Sequence, residues 1–352
     1  MPDIKVSFWN VENLFDTTPS EIAADLEFTP ANGWTQAAYD AKVKNLAAII
    51  KQMHGGLGPD LLGLCEIENK KVVQDLIDET GRADYRVAHV DSPDIRGIDT
   101  TLVYSNQVFK DPKAADMKGH LVHLRFPTRD IFQVRLEVKA NASELNILVN
   151  HWPSRRRGQY ESEPMRITVA EHCGRIVDEI LKFPRADFLA LPDTNASLTK
   201  LNERWNRNVL VMGDLNDEPF TRSVLDYLLG SKDLDHVEEE LKPGGGKKIP
   251  EAKVYIGRKA YLFNCMWPKL GQPDKGSFYF SSATNSMNLL DQFLVSRGLF
   301  YGVQGLKIDP ASVEILTPAA MTTPKGRPRP FDRKTKKGYS DHFPIQAVVQ
   351  TI

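Results

Sequence analysis

The segment Gly213-Asp214-Leu215-Asn216-Asp217 places a carboxylate and an amide on either side of one leucine, directly after the apolar run 209–212. On an extended backbone, residues two apart project to the same side. Asp214 and Asn216 then form a pair able to hold a water in line and grip a phosphoryl oxygen. Asp217 projects the other way and reads as structural, while Gly213 lets a neighbouring backbone come close. Far along the chain, Tyr339-Ser340-Asp341-His342-Phe343-Pro344 sets a carboxylate and an imidazole ahead of another apolar run. An imidazole that transfers protons needs a partner to fix its tautomer, and Asp291, which ends Leu289-Leu290-Asp291, is the candidate partner of His342. Two more runs end in polar side chains: Phe8-Trp9-Asn10 and Leu64-Cys65-Glu66. Hard cations take oxygen ligands and keep several waters, so one or two carboxylates suffice. Glu66 is the leading metal ligand, with Asn10 adding an oxygen or a hydrogen bond and Asp341 free to join the shell. A carboxylate, an amide and an imidazole at strand ends point to metal-assisted attack of water on a phosphate ester.

A second histidine follows a strand pattern in Asn150-His151-Trp152-Pro153-Ser154-Arg155-Arg156-Arg157. His151 can donate to a phosphoryl oxygen, and Arg155 can clamp phosphate bidentately. A rival Asp-x-Asn, Asp193-Thr194-Asn195, also ends an apolar run. It lacks the preceding glycine and is the weaker candidate.

These residues need strands to position them. Short apolar runs predict strands over 4–9, 61–65, 85–90, 100–104, 131–138, 145–150, 209–212, 292–295 and 345–349. Tyr39, Val43, Leu46 and Ile50 recur at helical spacing behind Thr35 as N-cap. Val169, Cys173, Ile176 and Ile180 do the same within 163–182, and a third helix over 72–80 is closed by Gly81. The motifs run from residue 10 to residue 342, which argues for one domain made from residues 1–352, with insertions near 183–207 and 231–251. The second of these, with Pro243-Gly244-Gly245-Gly246, reads as a mobile loop. Seven Lys or Arg crowd into 325–337, immediately before Asp341-His342.

Composition sets outer bounds. Of 352 residues, 41% are hydrophobic and 26% charged, and 45 Lys plus Arg face 46 Asp plus Glu. No global basic field exists, so a nucleic-acid enzyme would need a local basic patch. Cys65, Cys173 and Cys265 are far apart and odd in number, which fits reduced, packed thiols rather than a disulfide framework or a zinc site. No segment approaches the ~20 apolar residues of a membrane helix. No signal peptide is visible, so the expected compartment is the cytoplasm, or the periplasm or exterior if a leader has been removed.

The ordered set Trp9-Asn10-Val11-Glu12-Asn13, Glu66, the His151 segment, Gly213-Asp214-Leu215-Asn216, Asp291 and Ser340-Asp341-His342 resembles the endonuclease/exonuclease/phosphatase superfamily. That group includes deoxyribonuclease I, abasic-site endonucleases, sphingomyelinases and inositol polyphosphate 5-phosphatases. The resemblance implies an α/β fold, a four-layer sandwich of two packed mixed β-sheets flanked by helices, and Mg²⁺ or Mn²⁺ dependence. It gives Glu66 the metal, with Asn10 and Asp341 nearby, Asp214 and Asn216 the water and phosphate, and Asp291–His342 the proton. The segment Arg96-Gly97-Ile98-Asp99-Thr100-Thr101-Leu102-Val103-Tyr104-Ser105 resembles a strand near the site in bacterial members often labelled secreted nucleases. Arg96 and Asp99 therefore join Arg155 as candidate phosphate-binding residues. The Tyr-Arg that follows Gly-Asp-Leu-Asn-Asp in inositol 5-phosphatases is absent.

The resemblance implies a phosphodiesterase, foremost a nuclease, with nucleic acid or another phosphoester as substrate and no stable protein partner. A phosphomonoesterase and a sphingomyelinase-like head-group hydrolase are the alternatives; Phe278-Tyr279-Phe280 is the only stretch suited to an aromatic membrane hairpin. A binding protein that kept the fold but lost the chemistry should show replaced ligands. Glu66, Asp214, Asn216, Asp291 and His342 are all present.

Overall fold

Strands buried on both faces read as near-continuous apolar runs, which is how the predicted strands look. A computed structural model, describing residues 3–18, 27–122, 129–272, 275–280 and 286–352, forms each of them. In a six-stranded sheet, β1 (Ile4–Leu14) pairs parallel with β2 (Leu61–Ile67) and antiparallel with β15 (Ile345–Thr351). Beyond β2 lie β4 (Asp99–Ser105) and β3 (Tyr85–His89), and beyond β15 lies β14 (Leu306–Ile315). A seven-stranded sheet is centred on the parallel pair β7 (Glu144–His151) and β8 (Asn208–Asp214). It extends through β6 (Ile131–Glu137) and β5 (Met117–His120) on one side, and on the other through β13 (Asp291–Val295), β10 (Leu262–Asn264) and β9 (Gly230–Ser231). A separate hairpin joins β11 (Phe278–Phe280) to β12 (Ser286–Asn288).

The period of two decides what faces what. Leu210 and Met212 of β8 point into a core shared with Phe8, Leu61 and Leu102 of the other sheet, whereas Val209 and Val211 point outward under helices. Gly63 makes the inter-sheet contact close: a Cβ there would lie 2.5 Å from the Met212 sulfur. Helices Gln36–Ile50 and Lys70–Thr80 cover the first sheet through Leu46, Ile50, Val73 and Ile77. Helices Gln159–Leu181 and Asn195–Trp205 cover the second through Val169, Cys173, Ile176 and Leu201. Two mixed sheets with helices outside make the expected four-layer α/β sandwich.

The helix ends follow their caps. Thr35 accepts the Ala38 N–H at 3.3 Å, Asn69 accepts that of Val72 at 3.1 Å, and Gly81 closes the second helix at φ 75°. Residues 183–207 hold two helices that bury Phe188, Leu201 and Trp205. Asp193 accepts the backbone N–H groups of Lys248 and Ile249, and Asn195 begins a helix, so the rival Asp-x-Asn is a structural tether remote from Asp214. The Gly-rich stretch expected to be mobile is held by these bonds and by buried Val237, Leu241 and Ile249. All three cysteines are free and buried.

Parallel β1, β2, β7 and β8 end at one edge of the sandwich, where the antiparallel β4, β13 and β15 begin. Ligands of open α/β sheets collect at such carboxyl edges. His151 and Asp291 both sit opposite Asp214 in register. Gly213 fits this crowding: a Cβ would come within 2.3 Å of the Asn150 carbonyl oxygen, which is backbone and cannot yield. Gly213→Ala is expected to cost about 1–3 kcal/mol by overpacking. Urea unfolding checks this; an unchanged midpoint would refute the close approach.

Candidate active site

Asp214, at the end of β8, is the hub. Its Oδ2 accepts from the Asn10 amide at 3.1 Å and lies 3.7 Å from Nε2 of both His151 and His342. Its Oδ1 accepts the Asn216 N–H at 2.9 Å, an Asx turn with Asn216 at φ 49°. The two residues are thus brought together by this turn, not by strand alternation. The Asn216 amide donates to the Trp152 carbonyl at 2.9 Å, and the Trp152 N–H donates to the Asp214 carbonyl.

Glu66 reaches the same place by irregularity. It sits at φ 61°, where the β2–β4 register shifts between Cys65 and Ile67. A bulge re-aims a side chain, and a non-glycine residue in this region costs of order 1–3 kcal/mol. The first strand kinks in step: Glu12 and Asn13 are at φ 55° and 56°, and the Asn13 N–H donates to Glu66 Oε2 at 3.0 Å. Glu66 Oε1 lies 3.4 Å from the Asn10 amide nitrogen and 3.6 Å from His151 Nε2. Asn10 acts as a hydrogen-bond donor here, its oxygen accepting the Glu12 N–H.

His342 pairs with Asp291 as expected, through Nδ1 at 2.8 Å. The His342 N–H donates to Ser340 Oγ, Ser340 donates to the Asn10 carbonyl, and Trp9 Nε1 donates to the His342 carbonyl. The Phe278 ring lies 4.6 Å from the imidazole. Phe278, Tyr279 and Phe280 are half-buried, and the Arg327 guanidinium stacks 3.5 Å over the Tyr279 ring. The described part of this hairpin packs against the site through Phe278.

The two histidines differ in ionisation. Burial pushes His342 down, but the Asp291 and Asp214 charges outweigh it and hold it well above the ordinary range. Burial, with Arg129 and Arg96 nearby, holds His151 well below it. Burial raises Asp214 to about 6, with His342 opposing. Burial also raises Asp341, which lies on the Glu66 and Lys42 side of the centre. Asp291 Oδ1 is buried without a hydrogen-bond partner among the described residues. Oxygen donors that the nearby cations balance only in part suit a divalent ion. Donor atoms of Asp214, Asp291 and His342 lie within 4.8 Å of one another.

A profile of the endonuclease/exonuclease/phosphatase family matches residues 5–351. The chain belongs to this family. The fold recurs in solved structures of low identity. Truncated Caenorhabditis elegans TDP2 matches at 15% identity over 99% of this chain and 97% of that one, with a TM-score of 0.52. A Bacteroides thetaiotaomicron mannosyl-6-phosphatase matches at 14% over 99% of both chains, TM-score 0.53. A search of curated protein sequences finds no match.

Within this family member, the three candidate phosphate-binding residues part ways. Arg96 is half-buried, bonds Asn13 Oδ1 at 3.1 Å and senses the Glu66 charge, so it faces the centre. Asp99 turns elsewhere, accepting the Ser92 N–H at 3.1 Å and lying 3.4 Å from His89 Nε2. Arg155 is engaged from within the protein: its Nε donates to the Asn216 carbonyl at 2.6 Å, and its Nη2 lies 3.3 Å from Asp217. Two residues escaped the sequence reading. Arg129 donates to the carbonyls of His151 and Trp152 and so props the His151 loop. Arg166, 0% exposed, lies 2.7 Å from Asp217. A helical Arg amid polar neighbours carries no sequence signal of burial.

Asp217→Ala would strand the buried Arg166 charge and is expected to cost about 3–5 kcal/mol. It should lower turnover as well, because Arg155 then loses its anchor beside Asn216. Chemical denaturation and kcat check this; a variant as stable as the parent would break the assignment.

Proposed function

We propose that the chain is a divalent-metal-dependent phosphodiesterase that cleaves nucleic acid by in-line attack of water. The observation that carries this reading is the meeting of Glu66, His151, Asp214, Asp291 and His342 at one buried edge, within the distances given above. Glu66, with Asp341 beside it and Asn10 orienting the carboxylate, would hold Mg²⁺ or Mn²⁺, which would supply charge neutralisation on the phosphate and leaving oxygen. The rest falls to the chain's own groups. Asp214, raised to about 6 by burial, is a stronger base than an ordinary carboxylate and accepts the proton of the attacking water. Asn216 braces the loop that presents it. His342, held protonated by Asp291, donates to the phosphoryl group, and neutral His151 donates a hydrogen bond to a phosphoryl oxygen.

The basic segment supports a polyanionic substrate. None of Lys325, Arg327, Arg329, Arg333, Lys334, Lys336 and Lys337 forms a salt bridge among the described residues. Arg327, stacked on Tyr279, ties this segment to the hairpin that covers His342. Cations without an ion-pair partner among the described residues, close to the candidate centre, favour a ligand with phosphates beyond the scissile one.

Asp214→Ala and His342→Ala should each lower kcat on a short oligonucleotide by about 10²–10⁴-fold, and a chelator should stop turnover. Full activity in both variants would sink the site. Turnover of a chromogenic phosphodiester is expected to exceed that of the matching monoester; the reverse would make the protein a phosphomonoesterase on the same centre. Reversing Lys334, Lys336 and Lys337 to Glu should raise KM for the oligonucleotide more than for the small diester, and flatten its salt dependence.

A further inference from the structure

We infer that His89, Asp91 and Asp99 form a second divalent-cation site, of zinc or manganese chemistry, outside the catalytic centre. The sheet builds it. His89 closes β3 opposite Thr101 of β4. Asp99 stands two residues from Thr101, and Asp91 two residues beyond His89, so all three side chains share a face. His89 Nε2 lies 3.0 Å from Asp91 Oδ1 and 3.4 Å from Asp99 Oδ2. With metal–ligand bonds of about 2.0–2.2 Å, adjacent donors on a tetrahedral or octahedral shell stand about 3.0–3.5 Å apart. The observed separations match. One nitrogen with two carboxylate oxygens suits borderline first-row ions, with water completing the shell.

The surroundings prepare the site. Asp99 Oδ1 accepts both the N–H and the hydroxyl of Ser92, which leaves Oδ2 aimed at His89. Such outer bonds orient ligating carboxylates. The His89 and Asp99 side chains are 3% and 5% exposed and that of Asp91 is 85% exposed, giving a buried base with an open mouth. A further carboxyl, Asp130, lies near enough for Asp99 to repel its charge. Its Oδ1 is buried without a hydrogen-bond partner among the described residues. Burial first, then Asp99, pushes Asp130 up to about 6. Two carboxylates thus face one imidazole, a donor set that a cation would neutralise. In its absence a proton serves: burial pushes His89 down, but Asp99 and Asp91 outweigh it and raise it. A bound ion would pin residues 90–98, the loop that carries Arg96 toward Glu66 and Asp94 to Arg129.

The test uses the full chain carrying Glu66→Gln and Asp214→Asn, which weakens metal binding at the catalytic centre. The ion lost on changing His89 or Asp91 is then the one that reports on this site. The protein is stripped with chelator and dialysed against Zn²⁺ or Mn²⁺ alone, and bound metal is counted. One equivalent should remain. Adding Asp91→Ala, a substitution at an exposed position that spares the fold, should weaken it by at least about tenfold, and His89→Ala should abolish it. No bound ion in the parent, or parental affinity in either added variant, would overturn the inference.

Discussion

Everything at the site depends on keeping a carboxylate charged away from water. Asp214 is 1% exposed, and an isolated buried carboxylate would simply take up a proton. Two donors, the Asn10 amide and the Asn216 N–H, and one cation, His342, hold it partway. Each of these is positioned in turn: Asn10 by β1, Asn216 by the Arg155 and Trp152 contacts, and His342 by Asp291, Ser340 and Trp9. The polar shell is therefore a single connected network. Its members are worth more together than apart, because each one lost leaves another unsatisfied.

The strained backbone belongs to the same economy. Glu12, Asn13, Glu66 and Asn216 all adopt positive φ; the first three sit at irregularities near the ends of β1 and β2, and Asn216 just beyond β8. A regular strand would send Glu66 into one of the two packed faces. The bulge turns it along the edge instead, and the Asn13 N–H holds it there. The site thus draws on stability supplied by the well-packed layers behind it.

Much of this was legible in the sequence. Strands such as β8 and β2 announce themselves as apolar runs ending in one ionisable residue, and the caps at Thr35 and Asn69–Gly81 obey local rules. What stayed hidden depends on partners distant in sequence. The strands β5, β9, β10 and β14 are short, polar or irregular, and exist because a neighbouring strand offers its hydrogen bonds. Arg155 reads as a phosphate clamp because a guanidinium can grip phosphate bidentately; only the fold reveals Asp217 beside it. Asp99 looked like a site residue by position along its strand, yet its partners, Ser92 and His89, come from the preceding loop and strand. The Asp214–Asn216 pairing was found for a reason the structure replaces, since a turn does what alternation was expected to do.

The catalytic set is split between the two sheets. Asn10, Glu66 and His342 come from the first, and His151, Asp214 and Asp291 from the second. The strand that follows His342, β15, is nevertheless an interior one, lodged between β14 and β1. Until β15 is in place, the flank of β1 away from β2 has no partner strand. The candidate site is therefore complete only when this strand has joined the sheet. A chain lacking this strand would hold Asp214 in place without the imidazole that faces it.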